Sequence, residues 1–304
     1  MTSMLRINGL AFLKRIHRQL KYSKLLRSSD AKNIRVAIDD NSKETSVIFF
    51  TTHKCASSYV PSIFHECCKY SGYRAVDYAS VIWALGDKFI GYDSYESFLE
   101  ENYDSLYRLK GKIYSPQRKP IKFAGINSFK QLYFLRDPRD VLVSSFYSFS
   151  KTHTVPEGSS SAAVFRDRRR EIYNLGINDY ALSAATEWLV PMYEEYFESY
   201  KSAHDKLYLS YDYYLKDTAG FIGKVCSFVG VNLPEHAIKS LVSLASPVQS
   251  HVNSDRHQRS GKSAQWRNEL DEDVQNILTD QFASIMQKWD SVAADPRSES
   301  AFDN

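Results

Sequence analysis

Residues 47–68, Val-Ile-Phe-Phe-Thr-Thr-His-Lys-Cys-Ala-Ser-Ser-Tyr-Val-Pro-Ser-Ile-Phe-His-Glu-Cys-Cys, constrain the fold more than any other stretch of the chain. Val47–Phe50 is a short run of β-branched and aromatic side chains, the signature of a buried strand. Thr51–Ala56 is small or polar apart from His53 and Lys54. Val60, Ile63, Phe64 and Cys67 then recur at helical spacing, with Ser57 or Ser58 as the expected N-cap. Pro61 falls in the first turn, where its missing N–H is no loss. A strand that ends in a tight loop and re-enters as a helix gathers free backbone N–H groups, the positive end of the helix dipole and the Lys54 ammonium at one point. That is an anion site, with phosphate or sulfate as the expected ligand. An ordinary strand–helix junction with a surface lysine would give the same pattern without a ligand.

The kind of anion site is narrowed by what the loop lacks. A nucleotide triphosphatase loop reads G-x-x-x-x-G-K-[ST], whereas here neither glycine is present and the lysine precedes the hydroxyls. No G-x-G-x-x-G dinucleotide fingerprint occurs either. The order Thr51-Thr52-His53-Lys54-Cys55-Ala56-Ser57-Ser58-Tyr59 instead resembles the 5′-phosphosulfate loop of sulfotransferases that use 3′-phosphoadenosine 5′-phosphosulfate (PAPS), roughly T-Y-P-K-S-G-T-T-W. His53, Cys55, Ala56 and Tyr59 depart from that pattern. Ala56 matters most, because a glycine there reaches backbone conformations an alanine resists. The resemblance implies that Lys54, the N–H groups of Cys55–Ser58 and the hydroxyls of Ser57 and Ser58 hold the 5′-phosphosulfate, and that Tyr59 stacks on adenine.

A second stretch, Gln131–Phe149, reads as a strand ending at Leu135–Arg136, an N-cap at Asp137 and Pro138 at the first helical position. Val141, Ser144, Ser145 and Ser148 then fall on or near one helical face. An arginine at a strand end and a serine eight residues on can grip one phosphate, by fork and by hydroxyl. Arg136–Ser144 matches the sulfotransferases' 3′-phosphate motif, R-[DN]-P-[KR]-D-V-x-V-S, at every defined position. By resemblance, Arg136 and Ser144 bind the 3′-phosphate. Two looser matches follow in the expected order. Lys206–Lys216 is similar to the family's strand ending in Tyr-Glu/Asp, which implies Tyr211 near the adenine. Arg259–Arg267 resembles the C-terminal R-K-G-x-x-G-x-W-[KR] segment, which implies that Arg259, Ser260 and Gly261 close over the 3′-phosphate.

From Val47 onward strand patterns alternate with helical ones, at 47–52, 74–79, 111–115, 131–136 and 206–211 for strands and about 178–203, 218–229 and 272–290 for long helices. The expected fold is a three-layer α/β/α domain around a central, mainly parallel sheet, P-loop NTPase-like by the resemblance. We expect a basic extension at 1–44, the domain at 45–292 and a tail at 293–304. His153–Asn178 has few apolar anchors and reads as a long loop, either a lid or a solvated insertion. Residues 1–29 hold seven basic side chains and no acid, so the other 275 residues sum to −4 under a net charge of +3. Leu5, Leu10, Leu13, Ile16, Leu20 and Leu25 would line one face of a basic helix there, which suits a membrane-surface contact, a transit segment or a docked extension. Four cysteines without regular spacing give no disulfide framework and point to a reducing, cytoplasmic setting. No apolar run reaches the ~18 residues of a membrane span.

The function implied is in-line transfer of a sulfuryl group from PAPS to a hydroxyl or amine, leaving 3′,5′-diphosphoadenosine, with no metal and no nucleic-acid partner. The acceptor class stays open among small molecules, lipids and carbohydrates. A kinase-like phosphotransferase and a non-catalytic nucleotide-binding protein of the same fold are the alternatives. The general base is the least defined part. The K-T-H-x-P segment of the family's cytosolic branch falls on Lys112-Ile113-Tyr114-Ser115-Pro116, so Tyr114 stands where the histidine would be. A phenol with an ordinary pKa of about 10 is a poor base at neutral pH. Other branches use a carboxylate near the end of the second strand or on the first helix. Asp77 is therefore the first candidate, with His53 and His153 the others, and each of the three has an ordinary structural reading as well.

Overall fold

The computed structural model describes residues 42–56, 59–80, 95–153, 155, 159–245 and 262–294. Five strands, β1 (Val47–Thr51), β2 (Arg74–Val76), β3 (Lys112–Gln117), β4 (Lys130–Leu135) and β5 (Asp205–Ser210), form one sheet in the order β2-β3-β1-β4-β5. Every pairing among these strands is parallel, so each successive strand needs a crossover. Helices of the α type supply it except between β3 and β4, where residues 118–129 hold only a 3-10 turn at Ile126–Ser128. The α-helices are α1 (Val60–Lys69), α2 (Tyr95–Glu101), α3 (Tyr103–Leu106), α4 (Pro138–Tyr147), α5 (Ser159–Leu175), α6 (Ile177–Ala184), α7 (Val190–Ser202), α8 (Tyr211–Lys216), α9 (Thr218–Val229), α10 (Glu235–Ala245), α11 (Trp266–Glu269) and α12 (Glu272–Ala293).

Covering both faces explains the strand sequences. All of β1 and β3 is buried, which is why Val47–Phe50 shows no polar alternation. Ile48 and Phe50 point into one core layer with α4, α6, α7 and α12, while Val47 and Phe49 point into the other with α1, α8 and α9. The Phe50 ring stacks on Tyr133 at 5.0 Å and Phe49 meets Phe64 edge-on at 5.2 Å. The helix after β1 thus lies on one face and the helix after β4 on the other, although β1 and β4 are neighbours. A crevice opens where adjacent strands send their helices to opposite faces, at the carboxyl ends of the strands. Thr51 pairs with Phe134 across that edge, so Lys54 and Arg136 leave the sheet at nearly the same level.

The expected α/β/α fold is the one observed, with local corrections. The second strand stops at Val76, and a helical turn starts at Tyr78, because Asp77 caps it. The 178–203 helix is α6 and α7 joined through a π turn at Ala185–Leu189. Most of the expected loop at His153–Asn178 is the helix α5. Ala162, Phe165, Arg169 and Ile172 fall on one inward face of α5, and Ala, Arg and Glu are strong helix formers. On its outer side Arg168 pairs with Glu171 at 3.5 Å, so the arginine cluster supports the helix. Tyr59, not a serine, stands at the N-cap of α1 and makes no side-chain cap bond. Ser57, Ser58, the basic N-terminal extension and Arg259–Gly261 lie outside the described residues.

Candidate functional site

Arg136 leaves β4 into the crevice and is only 7% exposed. Its Nη1 donates to the Lys54 carbonyl at 3.1 Å and its Nη2 to the Lys262 carbonyl at 2.7 Å. Its guanidinium lies 4.6 Å from the centre of the Tyr211 ring and 3.5 Å from Asp140. One side chain therefore touches the loop after β1, the segment before α11 and the turn after β5. Its buried Nε has no acceptor. Asp140, 1% exposed, accepts the N–H of Ala264 at 2.8 Å and of Trp266 at 3.1 Å, which fixes that segment against α4. Burial raises the Asp140 pKa, and the Arg136 charge works against that rise.

The frame behind these contacts is built from tyrosines and a stacked arginine. Tyr193 donates its hydroxyl to the Arg136 carbonyl, and Tyr196 donates to the Thr51 carbonyl at 2.7 Å, so α7 braces the last residues of β4 and β1 together. Asp137 caps α4 through the Arg139 N–H at 2.9 Å and holds the Arg139 side chain at 3.0 and 2.7 Å. The Arg139 guanidinium in turn lies 3.9 Å from the Trp266 ring. Ser144 sits half-buried on α4, two turns beyond Arg136.

The loop after β1 is strained where the sequence departs from glycine. Lys54 has φ +67° and Ala56 φ +43°, both in the left-handed region that costs an L-residue about 1–2 kcal/mol. The Cys55 thiol points under the loop, donates to the Phe134 carbonyl at 3.4 Å, and is pushed up to about 12 by burial. It is no nucleophile. The N–H groups of Tyr59 and Val60 both donate to the Ala56 carbonyl, at 2.8 and 3.1 Å, which closes the turn into α1. Tyr59 gives its hydroxyl to the Leu241 carbonyl at 2.8 Å and packs 5.6 Å from Tyr214, so its ring is held between α8 and α10.

The three candidate bases have different surroundings. Asp77 is half-buried, and its two oxygens accept the Ser80 N–H at 2.8 Å and the Ser80 hydroxyl at 2.5 Å. Two strand spacings, about 10 Å, separate β2 from β1 in the sheet. His53 and His153 lie together. The His53 ring meets Phe149 edge-on at 6.1 Å, and His153 stacks on Phe149 at 5.4 Å. Phe165 of α5 then packs edge-on against His153 at 5.6 Å. Burial first, then the charges of Arg118, His153, Lys54 and Lys119, lower His53 to about 3, so its imidazole is neutral and weakly basic. Arg169 holds the far end of this ring column, donating Nε to the Phe149 carbonyl at 3.3 Å and Nη2 to the His153 carbonyl. Beyond Phe149 a cleft of about 410 Å³ opens between α5 and α6, lined by Phe165, Ile172, Tyr180 and Trp188 together with the charged Arg168 and Glu187. Tyr114 is 2% exposed, and its hydroxyl accepts the Arg108 N–H at 2.5 Å and donates to the Leu106 carbonyl at 3.3 Å. It is a core tyrosine.

Asp140 was legible as part of the matched Arg136–Ser144 run, but not as the pin for Ala264 and Trp266. Phe149, Tyr193, Tyr196 and Arg169 carry no local sequence signal that separates them from ordinary core or surface residues.

The family model of the sulfotransferase domain matches residues 121–290. Sulfotransferase 2A6 and Sulfotransferase 2A1 of Rattus norvegicus are each 27% identical over 157 residues, which is 47% of this chain and 48% of the relative. The chain thus spans about half the length of the curated relatives it matches. Mouse sulfotransferase SULT7A1 complexed with PAP shares the fold, with a TM-score of 0.51 and 14% identity over 85% of this chain and 90% of that one. Among the described residues no helix is long and apolar enough to cross a membrane.

Proposed function

This chain belongs to the sulfotransferase domain family, and from that premise we propose that it moves the sulfuryl group of PAPS onto a hydroxyl or amine acceptor. The observation that carries the donor assignment is Arg136. Its Nη groups tie two loops together, and its buried Nε is left without an acceptor. An unmatched buried donor costs about 1–3 kcal/mol, which an anionic ligand oxygen would recover. The Arg136–Ser144 run is also the stretch that resembles a 3′-phosphate motif, and a structure of the same fold is complexed with PAP. Tyr211, Arg259, Ser260 and Gly261 complete the proposed nucleotide side.

In this reading the acceptor oxygen attacks sulfur in line with the bond to the 5′-phosphate. That bond breaks, and 3′,5′-diphosphoadenosine departs. Lys54, the N–H groups of Cys55 and Ala56, and the hydroxyls of Ser57 and Ser58 take up the charge growing on the leaving phosphate. The left-handed backbone at Lys54 and Ala56 fixes the part of this loop that carries Lys54 before the reaction begins. A small-molecule or lipid acceptor enters through the cleft between α5 and α6 and passes Phe149. We assign the acceptor's proton to His153. That ring packs on Phe149 and Phe165, which line the cleft, whereas His53 is lowered to about 3 and Asp77 caps the turn at Tyr78 on the β2 side of the sheet.

Calorimetry with 3′,5′-diphosphoadenosine and with 5′-AMP tests the donor. The 3′-phosphate contacts should make the diphosphate bind at least ~30-fold more tightly, the low end of a buried charged pair. Equal affinities would end the PAPS reading. Transfer of label from ³⁵S-PAPS to an acceptor panel then separates an enzyme from a nucleotide-binding protein.

A further inference from the structure

Helices α1 and α9 lie in one layer, on the face of the sheet opposite α4, and each sends one cysteine into the core between them. The Cys67 and Cys226 sulfurs are 3.8 Å apart although the residues are 159 positions apart in sequence. Cys67 is fully buried and Cys226 is 6% exposed, among Phe64, Phe221, Ile222 and Val225, and both are free thiols. The other two cysteines are placed differently. Cys55 gives its thiol to the Phe134 carbonyl, and Cys68 is half-exposed one position further along α1.

We propose that Cys67 and Cys226 form an oxidative modification site, a dithiol that a peroxide closes to a disulfide joining α1 to α9. The sulfurs must approach from 3.8 Å to a bond of about 2.05 Å. The hydrogen bond between them favours a first thiolate at Cys226 and, with burial, pushes the Cys67 thiol well up. Cys226 is also the less buried of the two residues, 6% exposed against 0%. Its thiolate attacks one peroxide oxygen and the O–O bond breaks. The sulfur becomes a sulfenic acid, and the hydroxide released takes the thiol's proton to form water. Cys67 sulfur then attacks that sulfur. The S–S bond forms, the S–O bond breaks, and the Cys67 proton leaves with the hydroxyl as a second water. Two thiols lose two electrons in all, and one peroxide is reduced to two waters.

The link has a structural consequence. Helix α1 starts at Val60, directly after the anion loop, and Cys67 lies two turns further along it. A bond at Cys67 fastens the helix that carries this loop to α9. It also closes a long loop of chain, the case in which a cross-link most restricts the unfolded state. The oxidised protein should melt about 5 °C or more above the reduced one, and dithiothreitol should reverse the gain.

The test treats the full chain with one equivalent of hydrogen peroxide, alkylates the remaining thiols and maps a non-reducing digest by mass spectrometry. Free thiols should fall from four to two, with Cys67 joined to Cys226 and with Cys55 and Cys68 alkylated. Cys68 as the oxidised residue, by sulfinate or by cross-linking between chains, with Cys67 and Cys226 still free, would overturn the proposal. So would four unreacted thiols. Cys226→Ser should lose both the link and the melting gain. Should that variant fold poorly, Cys68→Ser removes only the competing thiol, and loss of the link there would equally overturn the assignment.

Discussion

The two sides of the crevice between β1 and β4 are built by different means. The proposed nucleotide side is a set of charged and backbone hydrogen bonds centred on Arg136, which meets the Lys54 and Lys262 carbonyls at 3.1 and 2.7 Å. The proposed acceptor side is a column of rings, His53, Phe149, His153 and Phe165, with centroids 5.4–6.1 Å apart. Hydrogen bonds to an invariant ligand demand set donors at set spacing, so they leave a pattern in the sequence. Ring packing tolerates many partners and several geometries, so it leaves none. A site that takes one donor and a variable acceptor should be legible on the first side and obscure on the second.

The sharpest test of that contrast is on the obscure side. If His153 takes the acceptor's proton, His153→Gln should lower kcat by about 10²–10⁴ and leave diphosphoadenosine affinity unchanged. Asp77→Asn keeps a capping oxygen for the turn at Tyr78 and should leave kcat and stability nearly unchanged. The reverse outcome, an inactive Asp77→Asn beside an active His153→Gln, would move the base to the β2 edge. On the legible side, Arg136→Ala should weaken diphosphoadenosine binding by about 2–5 kcal/mol, read by calorimetry. Lys54→Ala should lower kcat by about 100-fold, with a smaller loss in PAPS affinity, because the charge it meets grows in the transition state. A raised KM with normal kcat would reduce Lys54 to an anchor.

How far the sequence could be read follows the same division. The strand–loop–helix at 47–68 and the helix at 218–229 were legible because apolar periodicity and caps are local. Arg136, Asp137 and Pro138 were legible because one turn of backbone holds them all. Helix α5 was not. Its inward face holds only Ala162, Phe165, Ile172 and the stem of Arg169, too few apolar residues to show a period. Tyr193 and Tyr196 look like core residues from sequence. Only the fold shows that their hydroxyls end on the carbonyls of Arg136 and Thr51. The left-handed turn at Ala56 was visible only as a missing glycine. The structure shows that the alanine keeps the conformation.

His53 belongs to both sides, standing beside Lys54 in the loop after β1 and facing Phe149, so a small effect there can break the contrast. Its pKa of about 3 has burial as the larger cause and the Arg118 charge as the next. The unfolded chain, with an ordinary histidine near 6.5, therefore binds more protons than the folded one between about pH 3 and 6.5. The stability this group contributes is full above pH 6.5 and falls away as pH drops through that window. Arg118→Ala removes the charge that comes second to burial. The His53 pKa should then rise only part of the way to 6.5, followed by NMR of the imidazole carbons, and the acid end of the stability curve should move by the same sign. Saturating diphosphoadenosine should raise it further, because an anion beside Lys54 opposes the same cations. Full recovery to 6.5 in Arg118→Ala would show that charge, not burial, sets His53, and would draw it to the nucleotide side. No change with either the variant or the nucleotide would make it a packing residue of the ring column alone.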